Sequence, residues 1–372
     1  MIKNMHTEFS LKLLPATYGD SLWITYGTPD DLHYILIDGG TGGTKEHILK
    51  EIEKLPEGKR ILDLVIITHI DRDHIEGMLS LLNENHLNFK VKDLWYNGWS
   101  HLHGNNIESF GSKQGEKVSA QIIKHKIPWN GAFKNGPVAI PTDTKLPIID
   151  LDGGMRVTLL SPTQEHLTNL IPYWQKELEK ANLIPGYGEL IQEEKKIQDV
   201  NPEEIERFGG ESPDIENLNK ETFEEDDSKA NASSIAFLAE FDDRRLLCLG
   251  DAEPTQITMS LRKIWPQGKF PINLFKISHH GSLGNTGPEL LELTDCKNFA
   301  ISTNGSNYYH PAPETVAWII KRAGPNINLY FNYESEYNKI WKSSSLSKLF
   351  KYKYEFGNGE IKIIVPANKE KN

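Results

Sequence analysis

Short apolar blocks and alternating positions through the first eighty residues predict strand, strand, strand, helix, strand, turn and helix. Phe9 to Leu14 alternates, Ser21 to Tyr26 follows a Gly19-Asp20 turn, and His33 to Ile37 runs into Asp38-Gly39-Gly40. Thr44 to Leu55 has amphipathic helical spacing, and Leu62 to Ile67 is an almost uncharged strand. Glu76 to Glu84 predicts a helix and Val91 to Tyr96 a strand. Gly39 and Gly40 are expected to supply positive-φ positions in the turn.

Residues 97 to 137 are loop-rich, with a helix expected near Gly115 to Lys126, and Met155 to Leu160 predicts a strand ending at Ser161-Pro162-Thr163. The rhythm then breaks. Leu167 to Ala181 has helical spacing, whereas Ile191 to Asp227 is acidic with few large apolar residues, so 164–230 is expected to be an inserted acidic helical subdomain with a mobile part. Strands resume at Ser234 to Phe241, Arg245 to Leu249, Leu274 to Ile277, Phe299 to Ser302, Ile327 to Phe331, Lys351 to Phe356 and Glu360 to Val365. Helices are expected between them at Pro254 to Ile264, Pro288 to Leu293 and Pro313 to Arg322. Two halves that each run strands into helices predict an α/β sandwich of two mixed sheets flanked by helices, formed by 1–163 and 231–372.

Composition changes this picture little. The chain of 372 residues is long enough for a large core, has only two cysteines, Cys248 and Cys296, in apolar surroundings, and carries a net charge of −11. A disulfide framework or a cysteine-based zinc site is therefore not expected. No apolar run approaches the roughly 20 residues of a membrane span, and the first residues lack a signal-peptide pattern, so a cytoplasmic protein is expected. Residues 171–230 hold 17 acidic against 7 basic residues, which leaves 35 against 34 elsewhere. A polyanionic substrate is thus not excluded by charge, and the acidic run reads first as a solvated face.

The densest chemistry lies at Thr68-His69-Ile70-Asp71-Arg72-Asp73-His74. Two imidazoles and two carboxylates directly after a buried strand can converge on one or two divalent ions. Three later segments add candidates: Leu249-Gly250-Asp251, where Asp251 is a natural bridging carboxylate; Ser278-His279-His280-Gly281, where one histidine is expected to bind metal; and the polar loop Asn304 to Pro311. Lys276, His310 and the Asn304/Asn307 pair are candidates to stabilise charge or protonate a leaving group. For Lys276 the solvent-facing alternative weighs slightly more. Trp95-Tyr96-Asn97-Gly98-Trp99 offers rings on which bases could stack, but a packed loop is the leading reading.

This order of motifs resembles the metallo-β-lactamase superfamily, whose signature is a His-x-His-x-Asp-His turn followed by a bridging Asp and a late His. More narrowly it resembles the C-terminal hydrolase domain of the ComEC competence-protein family. The resemblance is carried by Gly19-Asp20-Ser21, Leu36 to Gly40, the 68–74 turn, Leu160-Ser161-Pro162, Asn231-Ala232-Ser233-Ser234, Leu249-Gly250-Asp251, His279 to Ser282 and Tyr309-His310-Pro311. It implies a four-layer α/β/β/α fold and a binuclear site, with His69 and Asp71 on the first ion, Asp73 and His74 on the second, and Asp251 between them. His280 would complete the second site, with His279 as its support or the reverse, and Asp20 or Asp38 would hold a ligand imidazole from behind. Asp71 stands where the family often has histidine, which favours manganese or magnesium alongside zinc. For a third imidazole on the first ion, His101, His103 and His166 are available, while Asn231 and Ser233 occupy the polar cluster of the ComEC-like pattern.

The expected function is a metal-dependent hydrolase using a metal-activated hydroxide oriented by Asp73 and Asp251. The resemblance implies a phosphodiester or nucleic-acid substrate and admits a protein partner in a bacterial defence or uptake system. An ester, lactone or thioester hydrolase is the alternative, and a non-catalytic interaction module a further one.

Overall fold

The computed structural model describes residues 7–102, 113–142, 145–180 and 213–367. One sheet has 6 strands in the order Ile361–Ile364, Glu8–Leu13, Leu22–Thr28, Asp31–Ile37, Leu64–Ile66 and Leu94–Trp95. The other has 8, in the order Tyr352–Phe356, Ile327–Phe331, Asn298–Ile301, Leu274–Lys276, Arg244–Cys248, Ala236–Phe241, Arg156–Ser161 and Ile148–Asp150. Both are mixed, and helices pack outside them. This is a mixed α/β fold of two sheets between helices.

The layering follows from side-chain alternation. Leu22, Ile24 and Tyr26, with Ile35, Ile37, Leu64 and Ile66, point into the core between the sheets. Trp23, Leu36 and Val65 point the other way, into a second core with Ile48 and Ile52 of helix Lys45–Glu53 and Ile75, Met78 and Leu82 of helix Arg72–Leu82. A strand buried on both faces requires helices on the outer side. Helices Pro254–Ile264, Pro288–Leu293 and Pro313–Arg322, each with proline in the first turn, form as expected.

The ends of the acidic stretch pack on this body. Leu167, Leu170 and Trp174 of helix Gln164–Lys180 belong to the outer core, and Ile215 to the central one. The middle of the stretch, 181–212, lies outside the described residues. Cys248 and Cys296 are buried free thiols. Trp95, Tyr96 and Trp99 are almost fully buried, which is the packed-loop reading of that run. Among the described residues no helix is long and apolar enough to cross a membrane.

Candidate metal centre

Parallel pairing gathers the candidate ligands. Asp31–Ile37 runs parallel to Leu64–Ile66, and Arg244–Cys248 parallel to Leu274–Lys276, so the turns leaving these strands open at the same end of the sandwich. Asp38 leaves the first strand at φ +57, and Gly40 follows at φ +64. Gly39 is not at positive φ; its role is close approach. Its N–H donates to the His74 carbonyl at 2.7 Å, and a Cβ there would lie 2.1 Å from the Met78 nitrogen.

Helix Arg72–Leu82 starts four residues earlier than the spacing predicts, so Asp73 and His74 stand in its first turn. Asp71 is its extended N-cap residue, and its side chain makes no capping hydrogen bond. That leaves the Asp71 carboxylate free to face His69, whose Nε2 is 3.6 Å away.

Four imidazoles then share one arrangement. The Nδ1 of His74 donates to Asp38 Oδ2 at 2.8 Å, and that of His280 donates to the Ser302 carbonyl at 3.0 Å. Asp38 also accepts the backbone N–H and the hydroxyl of Thr68, at 2.7 and 2.8 Å. Because the Thr68 hydroxyl is thus committed as a donor, its oxygen accepts from His69 Nδ1 at 3.0 Å. The Nδ1 of His279 lies 2.8 Å from the amide oxygen of Asn285. With every Nδ1 protonated, the four Nε2 lone pairs point inward.

What they meet there is carboxylate. Asp251 Oδ2 lies 3.6 Å from His69 Nε2, 3.3 Å from His74 Nε2 and 3.5 Å from His279 Nε2. Asp73 Oδ2 lies 3.2 Å from His280 Nε2 and 3.9 Å from His74 Nε2. The Nε2 atoms of His69, His74 and His280 and Oδ1 of Asp251 are buried without a hydrogen-bond partner. A nitrogen lone pair facing a carboxylate is repulsive unless a cation or an added proton lies between. Mixed imidazole and carboxylate donors of this kind suit a divalent ion such as zinc or manganese, and the residues fit one.

The site's electrostatics agree. Burial opposes charge on Asp73, yet His74 and His280 bring its carboxyl down to about 2. Burial likewise opposes charge on Asp251, and His279 and His74 hold it well below the carboxylate range. Against its burial, His74 is raised well above the usual imidazole value by Asp251 and Asp38, and His280 rises to about 9 beside Asp20. Both carboxylates are therefore charged at neutral pH, and the cluster attracts positive charge.

Asp20, His74, Asp251 and His280 offer ligand atoms within 4.8 Å of one another. Asp20, however, meets His280 on its Nδ1 side, at 3.5 Å, and forms a buried ion pair with Lys276. We place it behind His280 rather than on an ion, because Asp73 holds the Nε2 side. Lys276 is 1% exposed, neither solvent-facing nor open to a substrate. A strand buried on both faces carries it inward, and Lys276 and His280 hold the Asp20 carboxyl low against its burial.

His310 packs beside the cluster, its ring centroid 5.5 Å from that of His279 and 6.5 Å from that of His280. Burial and those two neighbours push it down to about 3, so it is neutral. Asn304 accepts the Ser306 N–H through its side chain and shapes the loop. His101 packs on Trp129 at 4.5 Å, and His166 lies 3.4 Å from Glu253. His103 falls outside the described residues. The further imidazole that reaches the cluster is instead His279, whose Nε2 lies 3.5 Å from Asp251 Oδ2. Sequence reasoning also left out Ser234, whose hydroxyl sits 3.2 Å from both His69 Nδ1 and the Asp251 N–H. The Asn231-Ala232-Ser233-Ser234 motif was its only signal. Ser233 itself bonds the Ala230 carbonyl at 2.6 Å.

No protein-family model matches the chain, and no curated protein matches it. Among solved structures, human tRNase Z, short form, is similar at 11% identity, covering 96% of this chain and 100% of that one with a TM-score of 0.38. A likeness that distant adds nothing to fold or function. The class rests on what the chain itself shows: two mixed sheets between helices, with a cluster of metal-type ligands where parallel strands end.

Proposed function

We propose that this protein is a metal-dependent hydrolase acting on phosphodiesters, with two divalent ions, zinc or manganese. One ion would be held by His69, Asp71, Asp251 and His279, the other by Asp73, His74, Asp251 and His280. The observation that carries this reading is the convergence of four Nε2 lone pairs on Asp73 and Asp251 while every Nδ1 is committed elsewhere. When bound, such ions bring the pKa of a water near neutrality and polarise the oxygen of the electrophile.

The chain's own contribution is orientation. Asp73 and Asp251, ionised at neutral pH, accept hydrogen bonds from an attacking water and aim it. Neutral His310 offers a hydrogen bond to charge developing on the substrate, a role that suits it better than proton transfer. Lys276 acts from below by balancing Asp20. No serine or cysteine nucleophile is needed, and both cysteines are buried free thiols. The ComEC-like motifs support the phosphodiester, and a nucleic acid is the proposed natural form of it. Cytoplasmic location, a partner in a defence or uptake system, and 164–230 as an insertion between 1–163 and 231–372 belong to the same proposal.

A second reading, an ester, lactone or thioester hydrolase, is favoured by the charge beside the site. Arg72, the cation of the ligand turn, is engaged by Glu76 at 2.9 Å, while Glu253 and Asp226 stand on neighbouring segments. The test is cleavage of single-stranded DNA, double-stranded DNA, RNA and a chromogenic phosphodiester with manganese and with zinc. Turnover lost in Asp73→Ala and His74→Ala supports the first reading. Hydrolysis of an acyl ester or lactone with every phosphodiester intact establishes the second.

A further inference from the structure

Asp226 belongs to the acidic run that charge patterning assigns to a solvated face, yet its side chain turns inward. Its Oδ1 accepts the Ser228 N–H at 3.0 Å, and its Oδ2 accepts the side-chain amides of Asn231 at 2.5 Å and Asn285 at 3.0 Å. Asn285 is fully buried, and its amide also donates to the Asp251 carbonyl at 2.9 Å. Both amide hydrogens of Asn285 are thereby assigned. A reversed amide would set its oxygen against two acceptors, so Oδ1 must be the atom 2.8 Å from His279 Nδ1. That contact is a hydrogen bond only when His279 carries its proton on Nδ1. The Nε2 lone pair is then left for the cluster.

We infer that Asp226, acting through Asn285, is a positioning residue that fixes the tautomer and ring orientation of His279, and so completes the first ion's set of His69, Asp71, Asp251 and His279. The inference rests on the metal-dependent reading above. His279 needs such support more than its neighbour. It has 22% of its side chain exposed, whereas His280 is fully buried and held by Ser302. Two adjacent histidines are thus held by independent scaffolds, one per ion. The acidic residues before strand Ala236–Phe241 become a working part of the centre. An acceptor that orients a ligand imidazole is worth ~10–100-fold in metal affinity.

The rival account is that Asp226 only ties its segment down, since its N–H also bonds the Gly284 carbonyl at 3.1 Å. The experiment compares the full chain with Asp226→Asn, which keeps the shape, and Asp226→Ala. Stepwise zinc and cobalt affinities are measured by calorimetry and cobalt absorbance, and histidine 15N shifts are recorded on the metal-free protein. The inference expects two ions in the wild type, ~10–100-fold weaker binding of one ion with the other unchanged in Asp226→Ala, and a smaller loss in Asp226→Asn, whose amide oxygen can still accept from Asn285. It also expects His279 to lose its Nδ1–H preference. Equal weakening of both ions, or a lowered melting temperature with unchanged affinities and unchanged His279 shifts, would overturn it. A wild type that binds no ion defeats the metal reading itself, a different failure, and the 15N shifts still report whether Asp226 sets the tautomer.

Discussion

Asp38→Asn should leave the fold standing and empty the metal centre, because one carboxylate oxygen decides which nitrogen of His74 carries the proton. Asp38 is 1% exposed, and Oδ1 takes the Thr68 N–H while Oδ2 takes His74 Nδ1 and the Thr68 hydroxyl. In the variant the amide oxygen stays on the Thr68 N–H, and the NH2 group replaces Oδ2. It then donates to His74 Nδ1, forcing that proton to Nε2, where a metal ion would bind. The Thr68 hydroxyl must turn as well, which removes one of the two hydroxyls, Thr68 and Ser234, that face His69 Nδ1. Affinity should fall by at least ~10–100-fold per affected imidazole. Stability should fall by only ~1–3 kcal/mol, the difference between charged and neutral hydrogen bonding, since asparagine tolerates the φ of +57 found here. Asp38→Ala behaves differently. It orphans two buried N–H donors at ~1–3 kcal/mol each and adds ~1–2 kcal/mol of left-handed strain. The total of ~3–8 kcal/mol is comparable with the whole stability of an ordinary domain. Urea unfolding of the metal-free proteins separates the two variants, and calorimetry measures ion affinity. Wild-type affinity for both ions in a folded Asp38→Asn protein would refute the tautomer argument.

Three further outcomes are expected. Lys276→Met removes the buried ammonium partner of Asp20 and should cost ~3–5 kcal/mol by urea unfolding; a variant of full stability with reduced turnover would instead make Lys276 a group that touches substrate. Glu116, whose two carboxylate oxygens are buried without partners, is raised to about 9 by burial. Its folded value lies above its unfolded one, so its contribution is full below about pH 4.5 and is lost as pH rises toward 9; Glu116→Gln should gain ~1–3 kcal/mol at pH 8 and little at pH 5. Gly39→Ala would set a methyl 2.1 Å from the Met78 nitrogen and should cost ~2–4 kcal/mol, read as a lowered unfolding midpoint.

The sequence speaks most clearly where one side chain declares its own constraint. Helices beginning at Pro254, Pro288 and Pro313 match the spacing because proline fixes the first turn. The candidate ligands His69, Asp73, His74, Asp251, His279 and His280 are legible because each follows a buried strand or opens a helix. Helix Arg72–Leu82 begins earlier than expected because its first turn is made of Arg72, Asp73 and His74, whose polarity hides the helical period. Strands Ile148–Asp150, Phe270–Ile272 and Thr294–Cys296 and helix Ser344–Phe350 are short, and their apolar pattern is too brief to register. The burial of Lys276 depends on helices covering the outer face of its sheet. The service of Asp226 to His279 depends on a chain return that brings 226 beside 285. No spacing encodes either contact.

The most direct test of the central claim is the position of bound ions, read by anomalous diffraction at the zinc and manganese edges from crystals of the metal-loaded protein. Two peaks are predicted, one among His69, Asp71, Asp251 and His279 and one among Asp73, His74, Asp251 and His280. A loaded crystal with no peak at the cluster, or a single ion held through Asp20 with Asp73 uninvolved, would contradict the account.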